Sequence, residues 1–165
     1  MSAPYIDPMV KKYFETFEAG TQQVKAYFYG EPYQVPASQM PAIFMSKVTT
    51  EVSPLNNASD EHQIEFQLTL VTDIRQTLDD EKKVVAGISQ LYEIIEGRDA
   101  TTYALKDESL LQILRTNIHI DTAQNLRTDL GSTTRVDYGD NVRNRTKQWF
   151  IEAHIRFVAH YSQTR

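Results

Sequence analysis

The chain has no cysteine among its 165 residues, which excludes disulfides, thiolate nucleophiles and cysteine-based zinc sites. Basic side chains are in short supply. Lys and Arg total 17 against 22 Asp and Glu, a formal net charge of -5. That is the reverse of the basic excess expected of a generic nucleic-acid binder, although a local basic patch stays open. The six glycines are scattered, and none sits in the strand–glycine–helix frame that cradles phosphate. The only Gly-x-Ser, Gly87-Ile88-Ser89, falls in a predicted helix and so lacks the strained elbow that exposes a serine nucleophile. No apolar run approaches the roughly 20 residues that span a bilayer. Met1 to Asp7 shows neither the charged nor the apolar region of a signal peptide. The expectation is a soluble protein, made and assembled inside a cell. No internal repeat or low-complexity tract is evident.

What is present is ordinary in bulk and unusual in pattern. Hydrophobic content of 41% and charged content of 24% are globular values and argue against wholesale disorder. The length suits one domain with a real core. Two long stretches alternate strictly. Ile64, Phe66, Leu68, Leu70, Thr72 and Ile74 alternate with Gln63, Glu65, Gln67, Thr69, Asp73 and Arg75. Trp149, Ile151, Ala153, Ile155, Phe157, Ala159 and Tyr161 alternate with Gln148, Glu152, His154, Arg156 and His160. Strand side chains change face at every residue, so each stretch predicts a strand with one buried and one wet face. Strands roughly twice the usual length suit antiparallel ribbons. The reading buries Trp149, Ile151, Ile155 and Phe157 and leaves Glu152 and Arg156 more exposed.

Residues 7–20 carry helix punctuation: Asp7 as cap, Pro8 at the first helical position, Gly20 at the exit. Met9, Val10, Tyr13, Phe14 and Phe17 share one face. That face predicts core packing, or docking onto a neighbouring subunit. Val24 to Tyr29 predicts a short strand, and Tyr33 to Pro41 an extended linker. A second strand runs from Pro41 to Val52, with Ile43, Met45 and Val48 inward after a slip readable as a bulge. Ser53 to Asp60 reads as a polar loop closing a wide hairpin. Val84, Val85, Ile88, Leu91, Tyr92 and Ile95 predict a helix across the sheet, with Gly97 as a left-handed cap. Shorter elements follow: a helix at Ser109 to Leu114, a strand at Ile118 to Ile120 and another at Thr133 to Tyr138. Residues 121–147 otherwise read as an extended loop region. Strands and helices are segregated, which predicts an α+β domain with a mostly antiparallel twisted sheet and helices packed on one face.

Chemical constellations are weak. His154 and His160 share a face but lie roughly 20 Å apart on a strand, too far to hold one metal; solvated or interface histidines are the simpler reading. Asp79, Asp80 and Glu81 could bind a hard cation, but capping and the positive helix end already account for them. The most basic stretch is Arg143, Arg145 and Lys147, with Arg127 and Arg135 upstream and Asp129, Asp137 and Asp140 interleaved. It reads as a solvated loop, as a partner-binding loop, or as a contact for nucleic acid weakened by the nearby acids.

The order of elements resembles the tail-terminator (tail-completion) family of long-tailed bacteriophages. The resemblance rests on the helix with Tyr13, Phe14 and Phe17, the strand Pro41 to Met45, the strand Ile64 to Arg75 and the helix Val84 to Ile95. Asp137-Tyr138-Gly139 followed by Trp149 to Val158 is similar to neck-region proteins of such phages. Residues 98–147 are longer than the simple connection expected of the family. The resemblance implies a virion protein of the tail or neck, assembled in the host cytoplasm as a homohexameric ring. The ring would cap the tail-tube protein and meet the head-completion or connector protein. DNA would pass only transiently through its lumen. It implies no catalysis, no cofactor, no metal and no membrane. The expected assembly contacts are Tyr13, Phe14, Phe17, Arg135, Arg143, Arg145 and Lys147. The alternatives are another head-closure or tube-related phage subunit, a small-ligand or peptide-binding α+β module, and an enzyme whose site is built from scattered residues.

Overall fold

A computed structural model describes residues 6–30, 35–56, 58–73, 81–122, 125–145 and 148–164. The chain is a single α+β domain. Its elements are α1 (Ile6–Gly20), β1 (Ala26–Phe28), a 3-10 turn (Ala37–Gln39), β2 (Ala42–Asn56), β3 (Ser59–Asp73), α2 (Glu81–Glu96), α3 (Leu110–Thr116), β4 (His119–Asp121), β5 (Leu126–Thr128), β6 (Arg135–Arg145) and β7 (Gln148–Thr164). All strands join one sheet in the order β1-β2-β3-β7-β5-β4, with β6 also on β7. Only β1 on β2 is parallel; the other pairings are antiparallel.

The spine is the β3–β7 ribbon, paired without a slip from Ser59↔Thr164 to Asp73↔Phe150. The other side of β7 is shared: β6 pairs its first half and β5 touches Ala159 and His160. The alternation seen in the sequence is met along the ribbon. Ile64, Phe66, Leu68, Leu70, Ile151, Ala153, Ile155 and Phe157 are all buried on the face under the helices. Trp149 lies in β7, but its side chain is outside the described ones.

The three helices add to that core. Apolar residues of α1 recur at helical spacing, and Met9, Val10, Tyr13, Phe14 and Phe17 are all buried. The Tyr13 ring lies 4.9 Å from Phe157 and 5.4 Å from Phe66. Aromatic pairs at such distances add about 0.5–1.5 kcal/mol beyond their burial. Ser109 caps α3 by accepting from the Gln112 N–H, which satisfies an amide the helix leaves unpaired. Among the described residues, no helix is long and apolar enough to cross a membrane.

Several expectations are corrected. β2 does not stop at Val52. It continues to Asn56, which pairs with Ser59, so Ser53 to Asp60 is mostly ribbon rather than a wide loop. The slip near Val48 is a bulge, lying between Met45 and Lys47. The loop region 121–147 contains β5 and an eleven-residue β6, held by the β7 ladder despite its turn-forming residues. Gly139 explains part of that: its φ is +74°, and a Cβ would sit 3.0 Å from Ile88 Cδ1. It supplies the irregularity between Tyr138 and Val142. Gly97 is needed for close approach and not for a left-handed cap, since a Cβ there would lie 2.4 Å from the Glu93 carbonyl oxygen.

Candidate assembly surface

The face of the sheet away from the helices carries a ladder of polar pairs. Residues directly opposite on neighbouring strands share a face. Arg135, Arg156 and Gln67 form one row, and Asp137, His154 and Thr69 the next. Arg156 Nε donates to Gln67 Oε1 at 3.0 Å, and Arg135 Nε lies 3.1 Å from Asp137 Oδ2. His154 Nδ1 is hydrogen-bonded to Thr69 Oγ1 at 2.9 Å. Its Nε2 is 3.7 Å from Glu152 Oε2.

Glu152 is completely buried, contrary to the expected exposure. The reason is a second small apolar layer on this face. Val35, Met40, Ala42, Phe44, Val71 and Phe150 cluster there, and Val71 is the direct cross-strand neighbour of Glu152. The 3-10 turn brings Val35 and Met40 over the end of the ribbon. The only trace of that cover within β7 is Phe150, an apolar residue on the face of Glu152.

A second node sits at the other end of β7. His160 Nε2 is 3.0 Å from Asp129 Oδ2, and its Nδ1 is 3.6 Å from Glu61 Oε1. Arg127 Nη2 lies 3.5 Å from the same Glu61 oxygen. Asp129 also accepts from Ser132 Oγ at 2.7 Å and from the Gly131 N–H at 2.9 Å. Hydrogen bonding from His160, then from Ser132, holds the Asp129 carboxyl down at about 2. A serine, a histidine and a carboxylate thus meet, but in the wrong order for nucleophilic catalysis. The hydroxyl donates to a weakly basic carboxylate, and the histidine lies beyond it, so Ser132 is not activated by this node. The node ties β3, β5 and β7 together. Sequence reasoning missed it because its members come from three separate stretches of the chain. The one local signal was Asp129-Leu130-Gly131-Ser132, a turn in which the aspartate bonds its own backbone.

The expected contact residues separate into groups. Tyr13, Phe14 and Phe17 are inside the core, so this helix face packs its own sheet and does not dock on a neighbour. Arg135 is exposed on the outer face. Arg143 and Arg145 are not on a loop: they lie in β6, level with Phe150 and Gln148 of β7, and their side chains are outside the described ones. Lys147, Asp79 and Asp80 lie outside the described residues altogether, and Glu81 opens α2. His154 and His160 each meet their own carboxylates. Among the described residues no three metal-ligating side chains converge.

A cavity of about 470 Å³ lies beside α3, lined by Arg98, Arg115, Leu111, Leu114 and the Leu130–Thr134 segment. Its one carboxylate, Glu96, accepts a hydrogen bond from the Tyr138 hydroxyl. Burial and that carboxylate push the Tyr138 phenol up, so the hydroxyl stays protonated and the lining keeps two guanidiniums against one carboxylate. No protein-family model matches this chain, and no curated protein matches it.

Proposed function

We propose that this chain is a structural subunit of the neck of a long-tailed bacteriophage, a tail terminator that assembles as a ring. The ring caps the tail tube and joins it to the head connector, with no catalysis of its own. The observation that carries the reading is the β3–β7 ribbon. β7 spans 17 residues, about 55 Å of extended chain. The ribbon bears the acidic β2–β3 hairpin at one end, and β6 carries Arg143 and Arg145 to the other. A rigid sheet with two chemically different ends suits a subunit that must present different surfaces to a tube below and a connector above. The polar ladder, whose charges neutralise one another, suits a contact surface better than a reaction centre.

Electron microscopy of the purified protein, alone and mixed with tail tubes, tests the proposal. The expected result is rings, and tubes capped at one end. Loss of the protein should give tails of irregular or excessive length that fail to join heads, with DNA packaging intact. Normal-length tails in its absence would favour head closure, and a soluble enzymatic activity with no virion incorporation would reject the structural reading.

A further inference from the structure

We infer that the outer edge of β2 receives β6 from a second copy of this chain. The inference rests on the assembly reading above and specifies its contact. β1 covers β2 only from Ala42 to Phe44. Beyond the bulge, no strand among the described residues pairs the outer side of β2. Lys47 and Thr49 to Pro54 are exposed, Val52 at 56%. Edge strands are ordinarily blunted by lysine, proline or bulges, because unpaired N–H and C=O groups recruit other chains. Here those devices stand at the two ends of one window. The bulge at Ser46, whose Oγ donates to the Gln67 carbonyl, and Lys47 close one end. Pro54 closes the other. Between them Val48-Thr49-Thr50-Glu51-Val52-Ser53 has no Pro, Gly or Lys, and four of its six residues are β-branched. Among the described residues it is a strand-length acceptor left open.

Direction and charge select the donor. Successive antiparallel pairings of β2, β3, β7 and β6 make β6 run opposite to β2. A second copy set alongside in the same orientation therefore brings its β6 antiparallel to β2. Among the described residues β6 pairs only β7. Between Val48 and Ile74 the chain has no Lys or Arg, and Glu51, Asp60, Glu61 and Glu65 make this half of the ribbon acidic. Val142 to Arg145 carries two arginines, with no acid between Asn141 and Trp149. Pairing two β2 edges about a two-fold axis would instead bring like charges together, which is destabilising. The contact is thus heterologous, and each copy keeps one acceptor and one donor, as a ring or filament requires. Val48 to Ser53 lie level with Phe157 to Ser162 of β7, and Val142 to Arg145 with Ile151 to Gln148. Joining them offsets neighbours by about 30 Å along the strands, so the strands tilt relative to the assembly axis.

Two measurements test this. The first compares sedimentation of the parent with a Thr50→Lys/Val52→Lys double variant and a Thr50→Val control. Both positions are exposed, so all three should fold, as circular dichroism will verify. The expected result is loss of the oligomer in the lysine variant alone. A lysine variant that assembles like the parent overturns the edge contact while leaving the ring reading intact. A parent that stays monomeric at every concentration and in the presence of tubes overturns both. The second uses the absence of cysteine: Glu51→Cys and Arg143→Cys copies are mixed and oxidised. A mixed disulfide dominating over either homodimer supports the heterologous pairing, and a dominant Glu51→Cys homodimer overturns it.

Discussion

Asp129 shows how a single side chain changes character when the fold surrounds it with donors. His160, Ser132 and the Gly131 amide all favour its charged form. Its pKa falls from 3.8 to about 2, so its contribution to stability is fully present above pH 3.8 and is lost as pH drops through about 2. Thermal unfolding followed from pH 5 to pH 2 should fall more steeply in the parent than in Asp129→Asn; parallel curves would show that the node does not couple to folding. Tyr13 acts by a different route. Its hydroxyl lies 2.8 Å from Thr128 Oγ1 and joins α1 to β5 across the core. Burial pushes the phenol up, so the bond stays neutral at any working pH. Tyr13→Phe leaves the buried Thr128 hydroxyl without that partner and should cost about 1–3 kcal/mol in denaturant unfolding.

Among the secondary-structure elements, the β3–β7 ribbon has a continuous register from end to end. Ile155 is level with Leu68 and Val136 and is 1% exposed. Ile155→Ala should cost about 2–5 kcal/mol, the spread depending on how far the surroundings collapse into the cavity. An unchanged denaturation midpoint would mean that the register is wrong. The two alternating strands and the three helices were legible because each has a buried and an exposed face, and the period of that contrast is local. The continuation of β6 past Tyr138 and of β2 past Val52 was not. Thr49 to Pro54 are exposed whichever way they point, so no period survives. Asp137 and Asn144 look like turn residues, yet they are paired with β7, and Gly139, Asp140 and Asn141 fall in the irregularity between the two paired runs.

For the whole molecule, the separation of charge between the two ends of the ribbon predicts salt-sensitive association. Arg143→Gln with Arg145→Gln should weaken assembly while leaving the monomer folded. Raising salt to about 1 M, where screening acts within ~3 Å, should weaken the parent toward the level of the double variant, which should itself respond little. Sedimentation at several ionic strengths reads both effects. Assembly of the double variant at parental strength would return these arginines to the role of a solvated strand end, since exposed charge pairs individually contribute at most about 1 kcal/mol.

The amino-acid sequence by itself determined the elements whose two faces differ: α1 with its aromatic stripe, α2, and the β3 and β7 strands that form the spine. It also determined the α+β class, since segregated strands and helices have few ways to bury their apolar faces. Tertiary contacts settled where β2 ends, how far β6 runs beyond Tyr138, that Glu152 is buried beneath a second apolar layer, and that His160 bridges Asp129 and Glu61. These features depend on backbone hydrogen bonds and contacts between residues far apart in the chain. Side-chain periodicity records which face of an element is wet, and it holds no information about which distant strand completes its ladder.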